Sequence, residues 1–149
     1  MTDLALRWDN ALFQADLALD FGKLATDDSL RTAVIISLFS DARAESDDPL
    51  PDAGGDRRGW WGDAFAGGGR GIGSRLWLLD REKITREVVG RARDYAREAL
   101  QWLVDDGVAS AVSVDAEAQP PAVLAIGVTI DRPGGPARQR FDFVWEATA

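Results

Sequence analysis

The sequence predicts an α+β fold. An antiparallel sheet, formed by an N-terminal hairpin plus a C-terminal three-stranded meander, packs against two helices, with a long Gly/Trp-rich loop between them. Three observations predict it. From Val112 onward, apolar and polar residues alternate with a period of two. Residues 85–104 carry apolar side chains at steps of three and four. Residues 45–72 have neither period and are rich in glycine.

The elements follow in order. Leu4, Leu6 and Trp8 alternate with Ala5 and Arg7, and Leu17 and Leu19 alternate with Asp16, Ala18 and Asp20. Asp9-Asn10 and Asp20-Phe21-Gly22 supply turn chemistry, so two short strands form a loose hairpin. Thr26-Asp27-Asp28-Ser29 reads as a helix start, because small oxygen-bearing side chains satisfy free N–H groups and acids favour the positive end of the helix dipole. The helix runs from Leu30 to about Ala42 and is apolar over more than one stripe, which predicts burial. Leu76-Trp77-Leu78-Leu79 is a short apolar turn or helix start. Thr85 caps the second helix, with Glu87 in its first turn. Val88, Ala92, Tyr95, Ala96, Ala99, Leu100 and Leu103 line one face as far as about Val104, and Gly107 takes the left-handed stop. Three strands close the chain around Val112–Ala116, Leu124–Ile130 and Phe141–Trp145, with turns at Gln119-Pro120-Pro121 and at residues 132–136. No internal repeat or boundary interrupts the 149 residues, which read as one domain.

Composition excludes several chemistries. There is no cysteine and no histidine, which removes disulfides, thiolate nucleophiles, Cys/His zinc sites and the usual neutral-pH base. A net charge of −8 argues against a nucleic-acid partner. No apolar run approaches the ~20 residues of a membrane span, and the first residues lack a signal-peptide pattern. Gly68-Gly69-Arg70-Gly71-Ile72-Gly73-Ser74-Arg75 lacks the Lys and the preceding strand of a phosphate-binding loop, so no cofactor is expected. Glu45, Asp47, Asp48, Asp52 and Asp56 lack the spacing of a calcium loop or of a glycosidase carboxyl pair, and read as a solvated acidic loop with no metal. Arg81, Arg86, Arg93 and Arg97 form either a solvated helix face or a docking strip.

The six tryptophans divide into two groups. Trp8, Trp77, Trp102 and Trp145 lie in or beside periodic elements and are assigned to the core or its edge. Trp60 and Trp61 have no such element. Either they fold back onto the core or they anchor a partner, since Trp and Arg dominate interface energetics and adjacent residues rarely face the same way.

The segments Asp3-Leu4-Ala5-Leu6-Arg7-Trp8-Asp9, Leu24-Ala25-Thr26-Asp27-Asp28, Arg58-Gly59-Trp60-Trp61-Gly62-Asp63 and Gly73-Ser74-Arg75-Leu76-Trp77-Leu78-Leu79 strongly resemble the baseplate wedge protein family of Mu-like phages. So does Tyr95-Ala96-x-Glu98-Ala99-Leu100-x-Trp102-Leu103, and the resemblance runs nearly end to end. That family is similar to the sheath-initiator and wedge proteins of T-even phages and of type VI secretion baseplates. The resemblance implies a non-enzymatic structural subunit of a contractile tail baseplate, located in the virion and assembled in the bacterial host cytoplasm. It implies six copies by tail symmetry, binding other wedge subunits, with tail tube or sheath as further contacts and a role in starting sheath assembly. Gly73 and Arg75 match the wider group's Gly-x-Arg motif, whereas Asp105-Asp106-Gly107 stands where that group carries Glu-Pro-Arg. The candidate partner-binding residues are Arg58, Trp60, Trp61, Asp63, Gly73, Arg75 and Trp77. Some relatives of the T-even type have been labelled lysozyme-like, so the alternative is a cell-wall glycosidase. A third option is an adaptor that adds an extended peptide to an open sheet edge.

Overall fold

The computed structural model describes residues 3–27, 29–67, 69–134 and 138–146. The first two residues, Asp28 of the predicted cap, Gly68 of the glycine loop, and Gly135 and Pro136 of the last turn lie outside the described residues.

The N-terminal segment holds more strands than its pattern predicts. β1 (Asp3–Leu4) pairs with β6 (Thr26–Asp27), β2 (Leu6–Asp9) with β3 (Gln14–Leu17), and β4 (Leu19–Asp20) with β5 (Lys23–Leu24). The expected hairpin is present, in the register Leu6↔Leu17. The three ribbons meet at a triangle of alanines. Ala5 N–H donates to the Ala25 carbonyl at 2.9 Å, Ala25 N–H to Ala18 at 2.9 Å, and Ala18 N–H to Ala5 at 2.8 Å. These ribbons do not extend the C-terminal meander strand by strand. Side chains join them to its last strand instead: Trp8 Nε1 donates to the Val144 carbonyl at 2.9 Å, and Val144 N–H donates to Asn10 Oδ1 at 3.0 Å. The backbone of that edge at Val144 is thereby satisfied without a further strand.

α1 (Arg31–Phe39) begins one residue after the predicted start and stops three before the predicted end. Leu30 at the cap position has no capping side chain; the expected oxygens act from just before it, Asp27 accepting from Ser29 N–H at 2.9 Å, from Ser29 Oγ–H and from Thr32 N–H at 3.2 Å, and Ser29 Oγ accepting from Arg31 N–H at 3.1 Å. Burial works to raise the Asp27 pKa, but the hydrogen bonds from Ser29 and Thr32 outweigh it and hold the carboxyl below its ordinary value. The early stop has a tertiary cause. Ser40 turns extended because its carbonyl accepts from Ser74 N–H at 2.9 Å, and Ala42 N–H then donates to the Ser74 carbonyl at 2.9 Å. A short parallel bridge replaces the last helical turn.

The remaining elements match their patterns. Leu76–Leu79 forms a buried 3-10 turn. α2 (Arg86–Asp105) is capped by the Thr85 hydroxyl, which accepts from Val88 N–H at 3.3 Å, and Gly107 adopts φ +72° beyond its end. β7 (Ala111–Gln119), β8 (Val123–Asp131) and β9 (Gln139–Glu146) form the antiparallel meander in the order β7-β8-β9. Val114, Leu124, Ile126, Val128, Ile130, Phe141 and Phe143 face inward and pack with Val88, Ala92, Ala96, Leu100 and Leu103 of α2. Burying one such large apolar side chain contributes about 1.5–3 kcal/mol. Trp8 lies flat on Phe39 with 3.7 Å between ring centroids, which seats the ribbons on this core. Trp102 donates to Ser37 Oγ at 3.0 Å and ties α2 to α1.

Candidate partner-binding site

The described residues of the 45–72 loop are fastened by polar contacts, by glycines and by Leu50, which packs against Ala44, Trp77 and Leu78. Gly73 sits at φ +97°, and an added Cβ there would overlap the Ser40 carbonyl. Glycine is what allows the Ser40–Ser74 bridge to form. Gly59, at φ +95°, similarly lets the chain pass Arg43, where a Cβ would come within 2.7 Å of the Arg43 Cβ. Arg58 adopts φ +51° and reaches back over the molecule. Its guanidinium bonds Asp41 at 2.8 Å and stacks 4.4 Å above the Trp77 ring. Trp77 itself is only 4% exposed, and its indole N–H donates to the Ala42 carbonyl at 2.7 Å. Arg58 also approaches Asp80 at 3.9 Å; burial raises the Asp80 pKa against that attraction.

Arg75 is the second fastening. It is largely buried and bridges Asp48 at 3.0 Å and Glu98 of α2 at 2.7 Å, with its guanidinium 4.9 Å from the centre of the Tyr95 ring. Burial acts to lower its pKa, yet the two carboxylates raise it above the ordinary arginine value. Asp63 closes the distal turn by accepting from Ile72 N–H at 3.1 Å, and Arg70 ties the same turn to Asp106 at 3.0 Å beyond α2.

On this scaffold sit the two tryptophans. Trp61–Ala64 forms a 3-10 turn, and the Trp60 ring lies over Gly62, leaving no room for a Cβ there. Trp60 is 51% exposed, Trp61 76% and Phe65 83%. The rings touch one another more than they touch the core. Trp60 and Trp61 centroids are 5.5 Å apart, and those of Trp61 and Phe65 are 6.2 Å apart and edge-on. Trp60 and Trp61 border a groove of about 1180 Å³ that continues past Arg70 and Arg75 to Glu98 on α2.

The seven predicted residues therefore come together as one unit with two roles. Trp60 and Trp61 present apolar surface, whereas Arg58, Asp63, Gly73, Arg75 and Trp77 hold the loop in shape. Phe65 was not among the predicted residues. Its only sequence signal is a third aromatic one helical turn beyond Trp61.

Of the acidic loop residues, Glu45, Asp47, Asp52 and Asp56 are exposed, and Asp48 serves as a structural partner. Asp48 pairs with Arg75 and accepts from Glu45 N–H at 2.8 Å, while the Glu45 and Ser46 carbonyls accept from Arg57. Among the described residues, no group of three or more His, Cys, Asp or Glu side chains is arranged to hold a metal ion. Among them, too, no helix is long and apolar enough to cross a membrane.

Comparison with known proteins bears on this surface. The family model described as Phage protein GP46 matches residues 30–137. The chain is 50% identical over 135 residues to "Baseplate protein gp46" of Escherichia phage Mu, covering 91% of this chain and 90% of that protein. It is 44% identical over 140 residues to "Mu-like prophage FluMu protein gp46" of Haemophilus influenzae, covering 94% of each. By the extent of these matches, the chain belongs to the GP46 family of phage proteins.

Proposed function

We propose that the chain is a structural subunit of a contractile phage-type tail baseplate, with Trp60, Trp61 and Phe65 as the anchor that docks onto a neighbouring wedge subunit. The observation that carries this reading is the exposed aromatic cluster on a loop fastened through Arg58, Asp63 and Arg75. Large aromatic rings left in water by a folded chain mark an interface, and Trp anchors dominate interface energies. The name of the Mu relative supports the assembly to which the surface is assigned.

The finer features are part of the same proposal. The subunit works without catalysis, is present in six copies around the tail tube, and resides in the virion after assembly in the host cytoplasm. It contributes to starting the sheath. Nothing at the acidic loop favours the glycosidase alternative, because Asp48 is committed to Arg75.

Co-expression with the other baseplate subunits of the same phage tests the reading. The wild-type chain is expected to co-purify with a wedge subunit, and Trp61→Ala combined with Phe65→Ala is expected to weaken that complex by about 2 kcal/mol or more, some 30-fold. A doubly substituted chain that co-purifies like wild type rules out this anchor.

A further inference from the structure

A second apolar surface lies at the other end of α1, on the N-terminal ribbons. Residues directly opposite in an antiparallel pair share a face, as do residues two apart on a strand. The registers Leu6↔Leu17, Leu19↔Leu24 and Leu4↔Thr26 pair five leucines and one threonine on the three ribbons, each next to an alanine of the triangle. Leu6 packs against the core, and Thr32 Oγ1 fixes the ribbons to the start of α1, accepting from Leu6 N–H at 3.1 Å and donating to the Leu4 carbonyl at 2.9 Å. Leu4, Leu17, Leu19 and Leu24 extend beyond the body into solvent. The alternate positions of these strands carry Asp3, Asp9, Asp16 and Asp20 against Arg7 and Lys23, while Asp27 turns its carboxylate to the start of α1.

The tip of the outermost ribbon is the least expected feature. Phe21-Gly22 forms a two-residue turn with φ +47° and +75°, the geometry that Asn-Gly ordinarily supplies. A bulky side chain at positive φ is an outlier. Phe21 is 99% exposed, so no contact within the chain repays the strain. Strain kept without internal compensation points to an external contact.

We infer that this leucine face and Phe21 form a second docking surface, whose occupant is a different baseplate subunit presenting an apolar patch edged by basic residues. Area and charge select that occupant. The four exposed leucines and Phe21 offer on the order of 500 Å² of apolar surface, about the apolar share of one side of a standard interface. A second copy would bring another net charge of −8 against acids on a ribbon one residue layer thick, within a Debye length of the contact. A basic rim gains what a second copy would lose. The inference rests on the baseplate reading for the source of the partner, and gives the subunit one contact at each end of α1.

The test titrates the full-length chain against each other baseplate subunit of the same phage, purified singly, at low and high salt. Phe21→Asn and the pair Leu19→Ser with Leu24→Ser are compared with wild type, and Trp61→Ala is run in parallel. One subunit is expected to bind wild type more weakly at high salt, and both ribbon variants are expected to lose about tenfold or more. Phe21→Asn is also expected to raise the melting temperature by about 2–4 °C, since asparagine relieves the turn. That rise separates lost binding from lost folding. Ribbon variants that bind every subunit like wild type overturn the proposal, and so does a dimer of the chain alone that Phe21→Asn abolishes. If Trp61→Ala loses a partner while the ribbon variants do not, this proposal falls and the baseplate reading stands. If wild type binds no subunit at all, both fall.

Discussion

The C-terminal meander and the N-terminal ribbons follow the same rule and meet opposite fates. Both alternate apolar and polar residues along antiparallel strands. In the meander, the alternating face of β8 (Leu124, Ile126, Val128, Ile130) is buried beneath α2. In the ribbons, Leu17, Leu19 and Leu24 alternate just as regularly and stay exposed. The difference lies in what covers the sheet. Twenty residues of amphipathic helix lie over the first, whereas among the described residues the second brings Leu6 and Trp8 to the core and is otherwise joined to the body by hydrogen bonds at Thr32 and Val144. Periodicity thus reports which face is apolar and leaves open whether the cover comes from the same chain. The tryptophan loop teaches the same lesson: Trp77 is covered by its own chain and Trp61 is not.

Stability measurements give the largest contrast between the two regions. Phe143→Ala or Leu100→Ala removes a side chain fully enclosed between α2 and the sheet, and urea unfolding is expected to show a loss of about 3–5 kcal/mol. Leu19→Ala is expected to change the same measurement by no more than about 0.5 kcal/mol. An equal loss at the two positions would mean that the ribbons are an internal part of the core. Next in size is Gly73→Ala, which strains the backbone at φ +97° and drives a methyl group into the Ser40 carbonyl. It is expected to cost about 1–3 kcal/mol and to loosen the tryptophan loop, read as faster amide exchange at Ala42 and Ser74.

The smallest effect concerns pH. The Asp27 carboxyl is held below its ordinary pKa, so its stabilisation is complete above the unfolded value near 4 and is lost as pH falls through the folded value. Wild type is expected to lose more stability than Asp27→Asn as the pH falls from 5 into the acid limb, read by urea unfolding at each pH. Parallel acid profiles for the two proteins would remove Asp27 as a stabilising acceptor at the first turn of α1.

Much of the body was legible in the sequence. Thr85, the three-and-four spacing and Gly107 define α2 to within a residue or two, and the last three strands fall where alternation puts them. The ribbons were harder to read because strands of two residues fall below any periodic window, so β5 drew no assignment and β6 passed for a cap. The end of α1 was misplaced because Ser74, 34 residues beyond Ser40, decides it through backbone pairing that no local pattern records. At the site, the clustering of aromatics and glycines identified the loop. The division of labour within it depended on distant partners, such as Arg58 on Trp77 and Arg75 between Asp48 and Glu98.

The most direct measurement is a paired one: the affinity of the full chain for its wedge neighbour, and its unfolding free energy, for wild type and for Trp61→Ala with Phe65→Ala. The account predicts an unfolding free energy within about 0.5 kcal/mol of wild type, because these rings cover little of the core, together with an affinity lower by about 30-fold or more. A marked loss of stability with unchanged affinity would contradict it, because the indoles would then belong to the chain's own interior.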